Sequence, residues 1–205
     1  MATGRPTALQ DRSAVTEDRL CDAAEALLRE GGLAACTVDA VAERATRSPA
    51  SVYRRFGDKD RMIEAVFERY VARARAANEA NLRAVRRHSR NLSGRLKAIV
   101  DGAVAGYRRD GQLTQAFREA AARSSTHSFE AAARRVREAT LGLASQALCD
   151  CVADPDKARA VDFALAVLAG SLETLLRAPQ PFGDRVLRNE LHAMLLAYLT
   201  DGDED

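Results

Sequence analysis

The chain has 205 residues, no Trp, only five Pro and a formal net charge of +2, with Ala, Leu, Arg and Glu dominating. That composition suits a helical protein with a sizeable core, and no run of alternating β-branched and polar residues signals a sheet. No stretch of eighteen uncharged apolar residues exists, which excludes a spanning helix; the N-terminus has no apolar segment of signal-peptide length, so a cytoplasmic location is expected.

Charge is unevenly placed. Met1 to Glu43 carries four cations against eight carboxylates, whereas Arg44 to Arg61 carries six cations against two. Such a local reversal predicts a specific basic surface. Of the four cysteines, Cys149 and Cys151 form a C-x-C pair without a neighbouring His or second pair, so all four read as thiols without a metal. No Gly-rich phosphate loop, Ser-His-Asp set or paired carboxylates with a motif around them is present, which argues against an enzyme and against a cofactor.

In chain order, residues 1 to about 15 read as an arm. Thr16, followed by Glu17 and Asp18, predicts the cap of a first helix whose apolar positions are Leu20, Ala23, Ala24, Leu27 and Leu28. Gly31 and Gly32 end it. Thr37 caps a short second helix bearing Val38, Val41, Ala42 and Ala45. After a tight connection at Thr46 and Arg47, Ser48 caps a third helix with Pro49 in its first turn. Val52 and Phe56, four apart, face inward; Gly57 stops the helix and Asp58 caps a long fourth one. Asn91, Ser93 and Gly94 mark a break. Helices are then expected over Leu96 to Arg109, Leu113 to about Arg123, Phe129 to Val152, Pro155 to Arg177 and Asp184 to Leu199, about nine in all.

A helix, a tight turn and a second helix opening on Ser-Pro is the layout of a helix-turn-helix. Its second helix must lead with small residues to enter a major groove, and Pro49, Ala50 and Ser51 meet that need. Cations and hydroxyls for the phosphates come from Thr37, Arg47, Ser48, Tyr53, Arg54, Arg55 and Lys59.

The segment from Leu20 to Met62, roughly a fifth of the chain, resembles the DNA-binding domain of the TetR family of bacterial transcriptional regulators. The resemblance rests on Ala24, Leu27, Gly31 or Gly32, Thr37-Val38, Val41-Ala42, Ala45, Ser48, Ser51-Val52-Tyr53, Phe56, Lys59 and Met62. It implies that Thr37, Tyr53 and Lys59 touch phosphates and that Pro49, Ala50, Ser51 and Arg54 lie nearest the groove. Two positions depart from the family pattern: Thr46 replaces the turn glycine and Arg47 the apolar residue after it. A β-branched residue is costly where the backbone needs positive φ, so the turn is either differently shaped or strained.

The resemblance further implies an all-helical protein of two parts: a DNA-binding domain over 14–61 and an effector-binding, dimerising domain over 62–205. The expected partners are a double-stranded DNA operator, a second copy of the chain and a small-molecule effector, with the protein acting as a repressor. Candidate effector-lining residues are Tyr107, Phe117, His127, Phe129 and Phe163; candidate dimer-seam residues are Val167, Leu168, Leu172, Leu191, Met194, Leu195 and Tyr198. The alternative class is a helical architectural protein that binds DNA without sequence choice.

Overall fold

The computed structural model describes residues 8–123, 128–152, 155–175 and 183–200. Among them are eight α-helices and no strand: α1 (Ala8–Ala35), α2 (Val38–Arg44), α3 (Pro49–Phe56), α4 (Lys59–His88), α5 (Leu92–Arg123), α6 (Ser128–Cys149), α7 (Pro155–Leu175) and α8 (Asp184–Thr200). The helix expected to break between Arg109 and Leu113 is instead continuous within α5. Gly111 there costs about 1 kcal/mol, and the helix formers on either side outweigh it in the absence of a proline. Likewise α1 begins eight residues before Thr16, which is an interior residue and not its cap.

The chain divides into two packed units, Met1–Tyr70 with Gln112–Ala131, and Val71–Gly111 with Ala132–Asp205. The first therefore reaches past residue 61 into α4 and takes in part of α5. Leu20, Ala24, Leu28, Val41, Val52, Met62, Ile63, Val66 and Leu113 are no more than 1 % exposed and make its core. Each large side chain so buried contributes about 1.5–3 kcal/mol of transfer free energy. Phe67 and Phe117 meet edge to face at 5.0 Å, and Tyr70 lies 5.6 Å from Phe117.

Capping residues set the ends of the short helices. Thr37 Oγ1 accepts from Ala40 N–H at 3.2 Å, and Asp58 Oδ1 accepts from Arg61 N–H at 2.8 Å at the start of α4. Gly57 closes α3 at φ 85°. Within α1 the backbone leaves helical geometry at Gly31 and Gly32, where Gly32 has φ 65°, as the paired glycines predict.

The second unit has its own core, in which Leu96, Val100, Val104, Leu148, Val161, Leu168, Leu172, Leu191 and Leu195 are all buried. Asn91 Oδ1 caps α5 through the Gly94 N–H at 2.8 Å. Among the described residues of this unit Arg95 is the buried cation, 8 % exposed. Its guanidinium donates to the carbonyls of Ser89 (2.9 Å), Ala147 (2.6 Å) and Arg86 (3.4 Å) and to Asp150 Oδ2 (3.3 Å). Three of these acceptors are backbone carbonyls at or just beyond helix C-termini, where a cation is favoured. No helix among the described residues is long and apolar enough to cross a membrane.

Candidate nucleic-acid interface

The tight connection between α2 and α3 is built by backbone hydrogen bonds from Thr46 N–H to the Glu43 carbonyl (3.0 Å) and from Arg47 N–H to the Ala42 carbonyl (2.8 Å). Closing it this way puts Thr46 at φ 54°. A β-branched residue in the left-handed region costs on the order of 1–2 kcal/mol, so the turn keeps the conformation a glycine would favour and carries strain. The next residue, Arg47, is half-buried and folds its guanidinium back onto the Thr46 carbonyl at 3.0 Å.

Beyond the turn, Ser48, Pro49 and Ala50 are exposed, and no acidic residue occupies the first turn of α3. Ser48 Oγ makes no cap hydrogen bond to the helix; it lies 3.0 Å from Ser51 Oγ, which in turn accepts from Arg54 Nη2 at 3.4 Å. The chain Ser48–Ser51–Arg54 runs along the exposed side of α3, while Val52 (1 %) and Phe56 (8 %) are buried on the other. Tyr53, at 53 % exposure, stands at the edge of the same surface. Thr37, also exposed, uses its oxygen to cap α2, and its O–H remains able to donate.

The basic cluster is partly neutralised within the protein. Arg55 is ion-paired with Glu17 of α1, and Arg44 grips Glu30 through two bonds of 2.7 Å. That fork holds the Glu30 carboxyl below its usual range because Arg44 hydrogen-bonds its charged form. Lys59 Nζ donates to the Leu33 carbonyl at 3.3 Å. The sequence could not reveal these ties, because their partners lie 14 to 38 residues apart.

The other predicted residues fall differently. Phe117 is 4 % exposed and packs against Phe67 and Tyr70 in the first unit. Tyr107 belongs to the second unit, its hydroxyl donating to the Ala169 carbonyl at 3.4 Å. Phe163 is 58 % exposed and lies 5.6 Å from Tyr198. His127 lies outside the described residues, and Phe129 sits in the first turn of α6. Of the predicted seam, Leu168, Leu172, Leu191 and Leu195 are buried within the chain's own core. Val167 is half-buried, and Met194 (50 %) and Tyr198 (48 %) are exposed. Period-3.6 apolar residues mark both core and contact surfaces, and only burial separates them.

No group of three or more His, Cys, Asp or Glu able to hold a metal occurs among the described residues. All four cysteines are free: Cys21 and Cys36 buried, Cys149 and Cys151 half-buried. Burial pushes the Cys36 thiol up to about 11, against the opposing pull of the nearby Lys59 charge.

Comparison with known proteins decides the family. The sequence model for bacterial regulatory proteins of the tetR family matches residues 20–66, and that for the Tetracyclin repressor-like C-terminal domain matches residues 91–199. The chain belongs to the TetR family. It is thus a DNA-binding transcriptional regulator, in a family of regulators and not of enzymes. Solved structures agree in fold. A TetR-family transcriptional regulator from Streptomyces coelicolor is 28 % identical, with 95 % of this chain and 100 % of that one covered at a TM-score of 0.60. A transcriptional regulator from Rhodococcus sp. RHA1 is 22 % identical, covering 90 % and 96 %, with a TM-score of 0.69. The regulator FadR from Bacillus subtilis, solved in complex with stearoyl-CoA, is 14 % identical, covering 88 % and 98 %, with a TM-score of 0.64. Among curated proteins the sequence has no significant match.

Proposed function

We propose that this TetR-family protein acts in the cytoplasm as a homodimeric repressor that occupies a palindromic operator and leaves it when a small apolar effector binds the second unit. The observation that carries the operator reading is the bare leading turn of α3. Ser48, Pro49 and Ala50 are exposed, carry no anion and are followed at once by the Ser51–Arg54 pair. Small side chains let that turn approach base edges, and Arg54 can donate in the major groove. Thr37, Tyr53 and Lys59 serve phosphates at its margin, and neutralising those phosphates supplies most of the affinity.

Dimerisation is supported by the outward face of α7 and α8. Phe163, Val186, Met194 and Tyr198 are large, apolar and exposed there. Beside them a recess of about 270 Å³ is lined by Leu175, Val186, Leu187, Glu190, Leu191 and Met194, a place for side chains of a second copy. The effector is the less constrained part. The acyl thioester bound by FadR makes acyl chains the first class to screen.

Footprinting across the genome of the host tests the reading. A symmetric protected site with two half-sites one helical turn or a multiple apart supports it. Equal affinity for that site and for random duplex at physiological salt would show a DNA-coating protein instead.

A further inference from the structure

The C-x-C pair flanks the residue on which the second unit's buried arginine depends. Cys149 ends α6, and Asp150 and Cys151 form the turn that follows. Asp150 sits between the thiols in sequence and receives two cations: Arg86 at 2.6 Å and Arg95 at 3.3 Å. Cys151 adds a third tie, its Sγ donating to the Arg90 carbonyl at 3.5 Å. The end of α6 is thus fastened to the α4–α5 connection through Asp150 and Cys151 together. Both thiols are half-buried, whereas Cys21 and Cys36 are 1 % and 0 % exposed. A reagent in solution meets the C-x-C pair first.

We propose that Cys149 and Cys151 are a site of oxidative modification, a dithiol that peroxide converts to an internal disulfide and that thereby releases the Arg86–Asp150–Arg95 clamp. The chemistry balances. One thiol ionises and its thiolate sulfur attacks a peroxide oxygen; the O–O bond breaks, a sulfenic acid remains, and the hydroxide that leaves takes up the thiol's proton to become water. The second thiol ionises and its thiolate attacks that sulfur; the S–S bond forms, the S–O bond breaks, and the departing hydroxide takes up the second thiol's proton to leave as water. Two electrons pass from the thiols to the peroxide.

Helical geometry explains why closing this bond cannot be silent. Residues two apart in a helix have Cα atoms about 5.4 Å apart, inside the roughly 4.4–6.8 Å that disulfides span. In the tighter winding past Cys149, where Cys151 N–H bonds back three residues, side chains two apart diverge by roughly 120° about the axis, whereas a disulfide needs the Cβ atoms within about 4.5 Å. The backbone between Leu148 and Val152 must therefore unwind. What holds it are the bonds from Asp150 N–H to the Gln146 carbonyl (3.2 Å), from Cys151 N–H to the Leu148 carbonyl (2.9 Å) and from Val152 N–H to the Cys149 carbonyl (3.0 Å). These are terminal bonds, the most easily lost in a helix. Turning Asp150 removes the carboxylate from a guanidinium that is 8 % exposed, and a buried charge without its counter-ion is strongly unfavourable.

The test uses the full-length chain, reduced, freed of reductant and treated with hydrogen peroxide. Trypsin yields one peptide, residues 138–157, that contains both cysteines and neither of the others. Its mass is expected to fall by two hydrogen atoms under non-reducing conditions. The thermal midpoint should drop by roughly 5 °C or more and recover with dithiothreitol. Cys149→Ser and Cys151→Ser should each abolish the linked peptide and the drop. Asp150→Asn should lower the midpoint without oxidant, and peroxide should then add little. Peptides that only gain oxygen, a disulfide between chains, or an internal disulfide that leaves the midpoint unmoved would each overturn the proposal.

Discussion

The Lys59 ammonium, at the first residue of α4, donates to the Leu33 carbonyl beyond the kink of α1 at 3.3 Å. One side chain thus satisfies a half-buried backbone acceptor and carries a positive charge two residues after the glycine that ends α3. Lys59→Ala is therefore expected to do two things. It should lower stability by about 1 kcal/mol through the orphaned carbonyl, and reduce the salt dependence of DNA binding by about one unit of slope. Urea titration reads the first and binding across a salt series the second. An unchanged slope would leave Lys59 with a structural role alone.

Ser51 links Ser48 to Arg54 on the exposed side of α3. Ser51→Ala frees the arginine, and Arg54→Ala removes it. Both should change which base is preferred at one position of the operator by about 1–3 kcal/mol, with little effect on random duplex. Selection from a randomised duplex library measures this, and identical preferences before and after would place Arg54 outside the groove.

Thr46 holds φ 54° without being glycine. Thr46→Gly should raise stability by about 1 kcal/mol, the relieved strain exceeding the entropy that glycine adds to the unfolded chain. A higher urea midpoint at constant m-value is the expected result; a lower midpoint would mean that the threonine side chain has a contact worth more than the strain.

Met194 and Tyr198 are exposed on α8, whereas Leu195 between them is 2 % exposed. Met194→Asp together with Tyr198→Asp should yield a folded monomer by sedimentation. Leu195→Ala should instead lose about 2–5 kcal/mol of stability through a core cavity. A double variant that still sediments as a dimer would move the seam off this face.

The Cys36 thiol, raised to about 11 from 9.0, titrates at higher pH folded than unfolded. Between those values the folded state holds the extra proton, so stability is full below pH 9 and falls as pH rises toward 11. The loss is on the order of 2 kcal/mol. Cys21, pushed up chiefly by burial, adds to the same limb. Thermal midpoints from pH 8 to 11 should decline less steeply in Cys36→Ala than in the parent.

How much of this was readable depended on the range of the interaction. Thr37, Pro49, Gly57 and Asp58 act on backbone atoms within four residues, so their pattern located α2, α3 and the start of α4 correctly. Thr16 misled because a good capping residue inside a continuing helix is tolerated, and Gly111 because one exposed glycine does not outweigh the helix around it. Arg55 with Glu17, and Arg95 with Asp150, are tertiary pairings that no local rule reports. The apolar stripe of α8 was visible. That Leu195 turns inward while Met194 and Tyr198 face out is set by how the helix is rotated against α7, which spacing alone leaves open.

At Gly32, with φ 65°, an added Cβ would stand 3.1 Å from Gln112 Nε2. The bend there aims the next carbonyl, that of Leu33, at Lys59. Any side chain at residue 32 would thus strain the backbone just before the carbonyl that anchors Lys59, 27 positions later in the chain, so a tertiary hydrogen bond depends on a residue that has no side chain.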